Sequence, residues 1–285
     1  MLTNQKVICD TNIWYAFNQL GYDKFALYFN GCQLYMTSLT FYELLSSSLI
    51  KKNFKEFQNI LSTLSKSHVH ILAEDDILHI LINLPVDVYS KEVQISKDVW
   101  QDFYKKIISA KSISHLPYHA KRMIYSRKLY ATYYALCERI CARIWAYRHV
   151  NYDHIRHVVI MRLKKEMEKY IKRHHIKVDN QSTMSELEHA FERITRLYVD
   201  CYSHFLYEVT KSYSSRNPIK IKSNDIIDFR NLLYCGGNDK YLTLERGGMS
   251  KKIGGMLHLY GANHEMSNIN NIRQTATDLY ASIKP

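Results

Sequence analysis

The sequence predicts an α/β domain interrupted by an all-helical insertion. Short apolar runs of strand type lie near both ends of the chain: QKVICD at 5–10, CQLYMTS at 32–38, HVHIL at 68–72 and KYLTLE at 240–245. Between 87 and 215 there is no Gly and a single Pro, Pro117, in a stretch dominated by helical periodicity. Each end piece alone is too short to bury a good core, so the economical reading joins them into one domain. The expected divisions are 1–84 and 216–285 as the two parts of the α/β domain, and 85–215 as the insertion.

The elements follow in order. Val7 and Ile8 favour a strand that ends at Asp10, and TNIWYAFNQL opens a helix or turn. From Thr40, TFYELLSSSLIKK has apolar residues at helical spacing, and NFKEFQNILSTLSKS continues in that style. The insertion reads as a bundle built from VWQDFYKKII, KRMIYSRKLYATYYALCERICARIWAYRHV, HIRHVVIMRLKKEMEKYIKRHH and SELEHAFERITRLYVDCYSHFLYEVTKSY. Its internal turns fall at 151–153 and 178–183. A turn cluster at 214–218 opens the last region, where IKIKSNDIIDFRNLLY is followed by a break at Gly236 and Gly237 and then the strand KYLTLE.

Composition excludes several classes. With 46 % apolar and 23 % charged residues the chain is globular and not disordered. No run of about 20 residues is continuously apolar, so no membrane span is expected. Asp10 and Asn12 interrupt the N-terminal segment where an export signal would stay apolar. The 6 Cys are scattered, which suits a reduced, cytoplasmic interior better than a disulfide framework. Cys137 and Cys141 are four apart and can share a helix face, as small buried residues or as half of a zinc site.

The formal net charge of +12 is concentrated. Residues 118–177 hold 15 Lys/Arg against 4 Asp/Glu, and the other segments are nearly balanced. A field so localised attracts a polyanion, with nucleic acid first among candidates. Lys121, Arg122, Arg127, Lys128, Arg139, Arg143 and Arg148 are the candidate phosphate contacts, interleaved with Tyr118, Tyr125, Tyr130, Tyr133, Tyr134 and Tyr147. Arg pairs with phosphates and exposed Tyr stacks on unpaired bases. The plainer alternative is a solvated basic helix face with Tyr in its core. His154 with His157, and the pair His174 and His175, lie among these cations and read as surface or phosphate contacts.

Five carboxylates stand at strand ends or helix starts. Asp10 closes the first strand, Glu43 lies early in the next helix, Asp225 and Asp228 share one face of a helix start, and Glu245 closes KYLTLE. In open α/β sheets the crevice beyond the strand ends takes the ligand. Converging carboxylates repel, and a hard divalent cation relieves that repulsion while engaging phosphate oxygens. Such an ion lowers the pKa of bound water and stabilises charge on a phosphodiester. Each acid also has a local reading. Thr40 to Glu43 matches a capping box, Asp225 and Asp228 suit a helix N-terminus, Asp10 suits an N-cap, and Glu245 a surface charge. Asn12 would orient Asp10 or cap a helix, and Asp239 is a lower-ranked substitute ligand.

These segments, in this order, resemble a PIN-domain nuclease. CDTNIWYAF resembles the opening of that family, TSLTFYELL its second segment, SNDIIDFRNLLY its third and KYLTLER its last active-site strand. The likeness covers 1–75 and 218–260, and Glu245 stands where the family usually has Asp. The resemblance implies a Rossmann-like α/β/α sandwich with a central parallel sheet. It also implies Mg²⁺- or Mn²⁺-dependent hydrolysis of nucleic acid, single-stranded RNA favoured over DNA, with Asp10, Glu43, Asp225 and Asp228 as metal ligands and Glu245 as a fifth catalytic residue. A toxin or defence role, an antitoxin or regulatory partner, and a homo-oligomer follow from the family alone. Two other readings stand beside it: a catalytically silent PIN-like nucleic-acid-binding protein, and a protein-interaction module with basic helices.

Overall fold

The structure, a computed structural model, describes residues 5–20, 32–66, 69–72, 74–89, 102–118, 120–121, 135, 138–139, 142–143, 151–221, 223–235 and 239–242. It is a mixed α/β fold, mostly helical. The chain packs into two compact units. The first combines Met1–Glu74, Ser96–Ser126 and Asn238–Pro285, and the second combines Asp75–Ile95 and Arg127–Gly237.

The first unit is built on a parallel sheet of four strands, β1 (Gln5–Cys9), β2 (Cys32–Thr37), β3 (His70–Leu72) and β6 (Lys240–Leu242), in the order β3-β2-β1-β6. β1 is central, flanked by β2 with Val7 beside Leu34 and by β6 with Cys9 beside Leu242. A strand with neighbours on both edges and cover on both faces must be apolar throughout, and Val7, Ile8 and Cys9 are fully buried. Strand alternation then sorts the faces. Val7, Cys9, Leu34 and Met36 meet the main core, while Tyr35 turns to the other face and stacks on His70 at 5.0 Å.

Helices cover the core face. α1 (Thr11–Leu20) contributes Ile13 and Trp14. α2 (Ser38–Ser46) contributes Phe41, Leu44 and Leu45. A bend at Ser47 separates α2 from the short α3 (Ser48–Lys52), so the helix expected over TFYELLSSSLIKK is two helices. α4 (Phe54–Lys66) buries Phe57, Ile60, Leu61 and Leu64, the spacing of one helical stripe. A helical stretch at 102–109 adds Ile107 to the same core, and the Gln58 amide donates to the Ala110 carbonyl just beyond it. These residues fall within the segment read from sequence as insertion.

The second unit holds α5 (Asp76–Asn83), α6 (Tyr152–Arg173), α7 (Met184–Ser212) and α8 (Ser223–Asn231). Asn151 caps α6, and Thr183 with Glu186 forms a reciprocal capping box on α7, so both helices start where the sequence placed turns. Ile155, Val159 and Leu163 of α6 supply one buried stripe, and Phe229 of α8 packs 5.0 Å from Phe205 of α7. The insertion is not all-helical: β4 (Asp87–Tyr89) pairs antiparallel with β5 (Lys177–Asp179), Val88 opposite Val178. β5 is exposed throughout, so no apolar run marks it in the sequence. Among the described residues no helix is long and apolar enough to cross a membrane. Cys9, Cys201 and Cys235 are buried thiols, and burial, aided by Asp200, pushes Cys201 up to about 12.

Arg230 ties this unit together. It is 4 % exposed and lies on α8, bonded through Nε to Asp76 of α5 and through Nη1 to Glu166 of α6 at 2.8 Å. Removing one partner of a buried charge cluster strands the others. Arg230→Ala should therefore lower stability by about 3–5 kcal/mol in urea unfolding; a loss under about 1 kcal/mol would show that the cluster carries little. Beside it, burial raises the Asp75 carboxyl above its ordinary value and Asp76 raises it further. A raised carboxylate contributes stability fully below its unfolded pKa, and that contribution is lost as pH rises through the folded value. Asp75 also accepts from the Leu78 amide as the cap of α5, a bond Asn can keep. The stability of Asp75→Asn relative to the natural chain should thus increase between about pH 3.5 and pH 7. An unchanged difference across that range would refute the assignment.

Candidate active site at the carboxyl edge of the parallel sheet

The strand order reverses at β1: the chain moves outward through β2 and β3, then returns to the other side with β6. The carboxyl ends of strands at such a reversal form a crevice suited to ligands. Asp10 is the first residue past β1 and is 5 % exposed. A carboxylate so buried needs donors. Its Oδ1 accepts from the Thr11 amide at 2.6 Å and its Oδ2 from the Asn12 side chain at 2.8 Å, while the start of α1 adds favourable helix-end charge. Asn12 thus orients Asp10.

Glu43 comes to the same place from α2. The expected capping box at Thr40 does not form. Thr37 caps α2 instead, accepting from the Thr40 amide at 3.0 Å, which puts Glu43 in the second turn, beyond capping reach. Its Oε2 accepts from the Thr11 hydroxyl. Thr11 therefore links the two acids, its amide to Asp10 and its hydroxyl to Glu43. Hydroxyls fix the frame. Thr37 donates to Thr40 at 3.1 Å, Thr40 donates to the Cys9 carbonyl at 3.5 Å, and Ser38 donates to the Glu74 carbonyl at 3.1 Å. The ends of β1 and β2, and the turn after β3, are laced together by these bonds. Glu74 is a buried acid at that edge.

Asp239 belongs elsewhere. It sits just before β6 and pairs with Lys6 Nζ at 3.0 Å. In the parallel register Lys240 is level with Val7, so Asp239 is at the amino edge of the sheet, about 13 Å along the strands from the level of Asp10. It is not a substitute ligand. Glu245 lies outside the described residues.

In the second unit, Asp225 is half-buried and Asp228 buried on α8, three apart and on one face. Of the basic candidates, Lys121 is half-buried in the first unit. Arg139 and Arg143 are exposed, helical and four apart in the second. Arg122, Arg127, Lys128 and Arg148 lie outside the described residues, as do Cys137 and Cys141. Among the described residues no group of three or more His, Cys, Asp or Glu gathers in a geometry that could hold a metal. The Asp10 and Glu43 pair still fits Mg²⁺ by donor chemistry, because that ion keeps several waters and is commonly bound through one or two carboxylates plus substrate phosphates.

Sequence reading missed Thr11 and Glu74. Thr11 sits inside the DTN motif, where its hydroxyl has no sequence signal, because its partner is 32 residues away. Thr11→Val keeps the side-chain shape and removes the donor to Glu43. It should cost about 1–2 kcal/mol in denaturant unfolding, with Thr11→Ser recovering most of the loss; equal stability of all three chains would remove Thr11 from the site. Comparison with protein-family models, with curated proteins and with solved structures found no match for this chain.

Proposed function

We propose that the chain is a metal-dependent nuclease that hydrolyses phosphodiester bonds, with single-stranded RNA favoured over DNA as substrate and a PIN-like α/β/α frame around the parallel sheet. One observation carries the reading: a buried, doubly hydrogen-bonded Asp10 at the carboxyl end of the central strand, at the reversal of strand order, linked through Thr11 to Glu43. Asp10 also serves the start of α1, but capping does not account for Glu43, since α2 is capped by Thr37.

Asp10 and Glu43 would hold Mg²⁺ or Mn²⁺, and the family resemblance assigns the same task to Asp225 and Asp228, with Glu245 as a further catalytic acid. When bound, the ion supplies Lewis-acid stabilisation of a phosphodiester and a water nucleophile at neutral pH. The chain's own residues do the positioning. Asn12 and the Thr11 amide fix the Asp10 carboxylate, and the Thr11 hydroxyl fixes Glu43. Hydrolysis adds water to phosphorus and releases the 3′ oxygen, which leaves 5′-phosphate and 3′-hydroxyl ends.

The departure at Glu245 favours one second reading, a PIN-like protein that binds nucleic acid without cutting it. A single assay separates the two. End-labelled single-stranded RNA is incubated with the full chain in Mg²⁺ or Mn²⁺ and resolved on a denaturing gel. EDTA should abolish cleavage, and Asp10→Asn should lower it by at least about 100-fold, or roughly 2.7 kcal/mol, with circular dichroism unchanged. Cleavage that survives both treatments would refute a metal reaction at this site. Salt-dependent binding with no turnover in either metal would select the silent reading.

A further inference from the structure

The second unit carries an aromatic cluster that the proposed chemistry does not use. Tyr152, the first residue of α6, meets His204 and Tyr207 of α7, with ring centroids 6.4 and 6.0 Å away. His204 and Tyr207 are themselves 6.4 Å apart, so the three rings form a closed triangle. All three are half-buried, at the end of the helix pair and outside the buried stripe of Ile155, Val159 and Leu163. The exposed Lys211, one turn further along α7, places Nζ 4.2 Å from the Tyr207 ring centroid. Positions 204, 207 and 211 share one helix face, and Tyr152 closes it from α6.

We propose that Tyr152, His204, Tyr207 and Lys211 form a stacking platform for the unpaired bases of a single-stranded nucleic acid. The exposed parts of these half-buried rings offer π surface to a base, and the exposed lysine supplies the positive charge its phosphate requires. Tyr and His rings stack on any base, so the platform tolerates sequence. It excludes duplexes, whose bases are already stacked. Arg156, one turn along α6 from Tyr152, is paired with Asp200, so Lys211 supplies the positive charge at the platform. The platform rests on the reading of the chain as a nucleic-acid protein and gives its strand grip a place.

The test uses the full chain with Asp10→Asn, in EDTA, so that bound RNA stays intact. Fluorescently labelled 12-nucleotide oligo(U) and oligo(A) are titrated by anisotropy at moderate salt. Tyr207→Ala and Tyr152→Ala should each weaken Kd by about 5- to 100-fold on both oligonucleotides, and Tyr207→Phe should stay within about twofold. Lys211→Gln, at an exposed position that leaves the core intact, should weaken binding and lower the slope of log K against log salt by about one unit. A duplex RNA of equal length should compete poorly. Unchanged affinity in all the variants, or no RNA affinity at moderate salt, overturns the platform. Cleavage in Mg²⁺ by the natural chain is read separately. Lost cleavage with variant-sensitive binding defeats the nuclease reading alone, and metal-dependent cleavage with variant-insensitive binding defeats the platform alone.

Discussion

A carboxylate held almost out of water at the end of the central strand is the constraint around which the first unit is organised. Burial of Asp10 is unfavourable by itself, and its cost is offset by two short hydrogen bonds and by the start of α1. That arrangement requires α1 to begin directly after β1. It also requires α2 to come close enough for Glu43 to take the Thr11 hydroxyl. The approach of α2 is set in turn by hydroxyls: Thr37 caps the helix, and Thr40 ties it to the last carbonyl of β1. Ordinary capping and sheet chemistry thus bring two acids from segments 33 residues apart within reach of one threonine.

The second unit solves a related problem with the opposite sign. Here a cation, Arg230, is buried, and two acids from α5 and α6 surround it. The cluster joins three helices that are far apart in sequence. Removing one partner of it is costly, whereas an apolar replacement of the whole cluster would be about as stable. The aromatic residues divide by depth. Phe229 is buried beside Phe205 and Tyr202, whereas Tyr152, His204 and Tyr207 remain half in water at the end of α6 and α7. Rings left at a surface beside a lysine can serve recognition, and rings in the core cannot.

Much of the fold was legible in the sequence because its signals are local. β1, β2 and β3 lie within the expected apolar runs, and the described β6 begins where KYLTLE begins. The starts of α6 and α7 were marked by Asn151 and Thr183, and a cap is a contact between neighbours in sequence. Local signals also misled. Thr40 to Glu43 has the letters of a capping box, yet the chain bends into helix three residues earlier, at Thr37. Strand β5 fell in a segment read as a turn, because its partner β4 is about ninety residues away. The 102–109 helix and its neighbours pack with the first unit although the helical periodicity of the sequence continues into the stretch that follows.

By itself the sequence determined the class of this protein: short strands with helices, a long breaker-free helical region, a localised positive charge, and acids at strand ends. These depend on composition, periodicity and turn chemistry, all of which act over a few residues. Tertiary structure decided what the acids do. It placed Thr11 between Asp10 and Glu43, sent Asp239 to Lys6 at the far edge of the sheet, and gathered Asp76 and Glu166 around Arg230. The physical reason is range. A carboxylate's role is fixed by the donors that fold against it, and those donors come from parts of the chain that no local pattern connects.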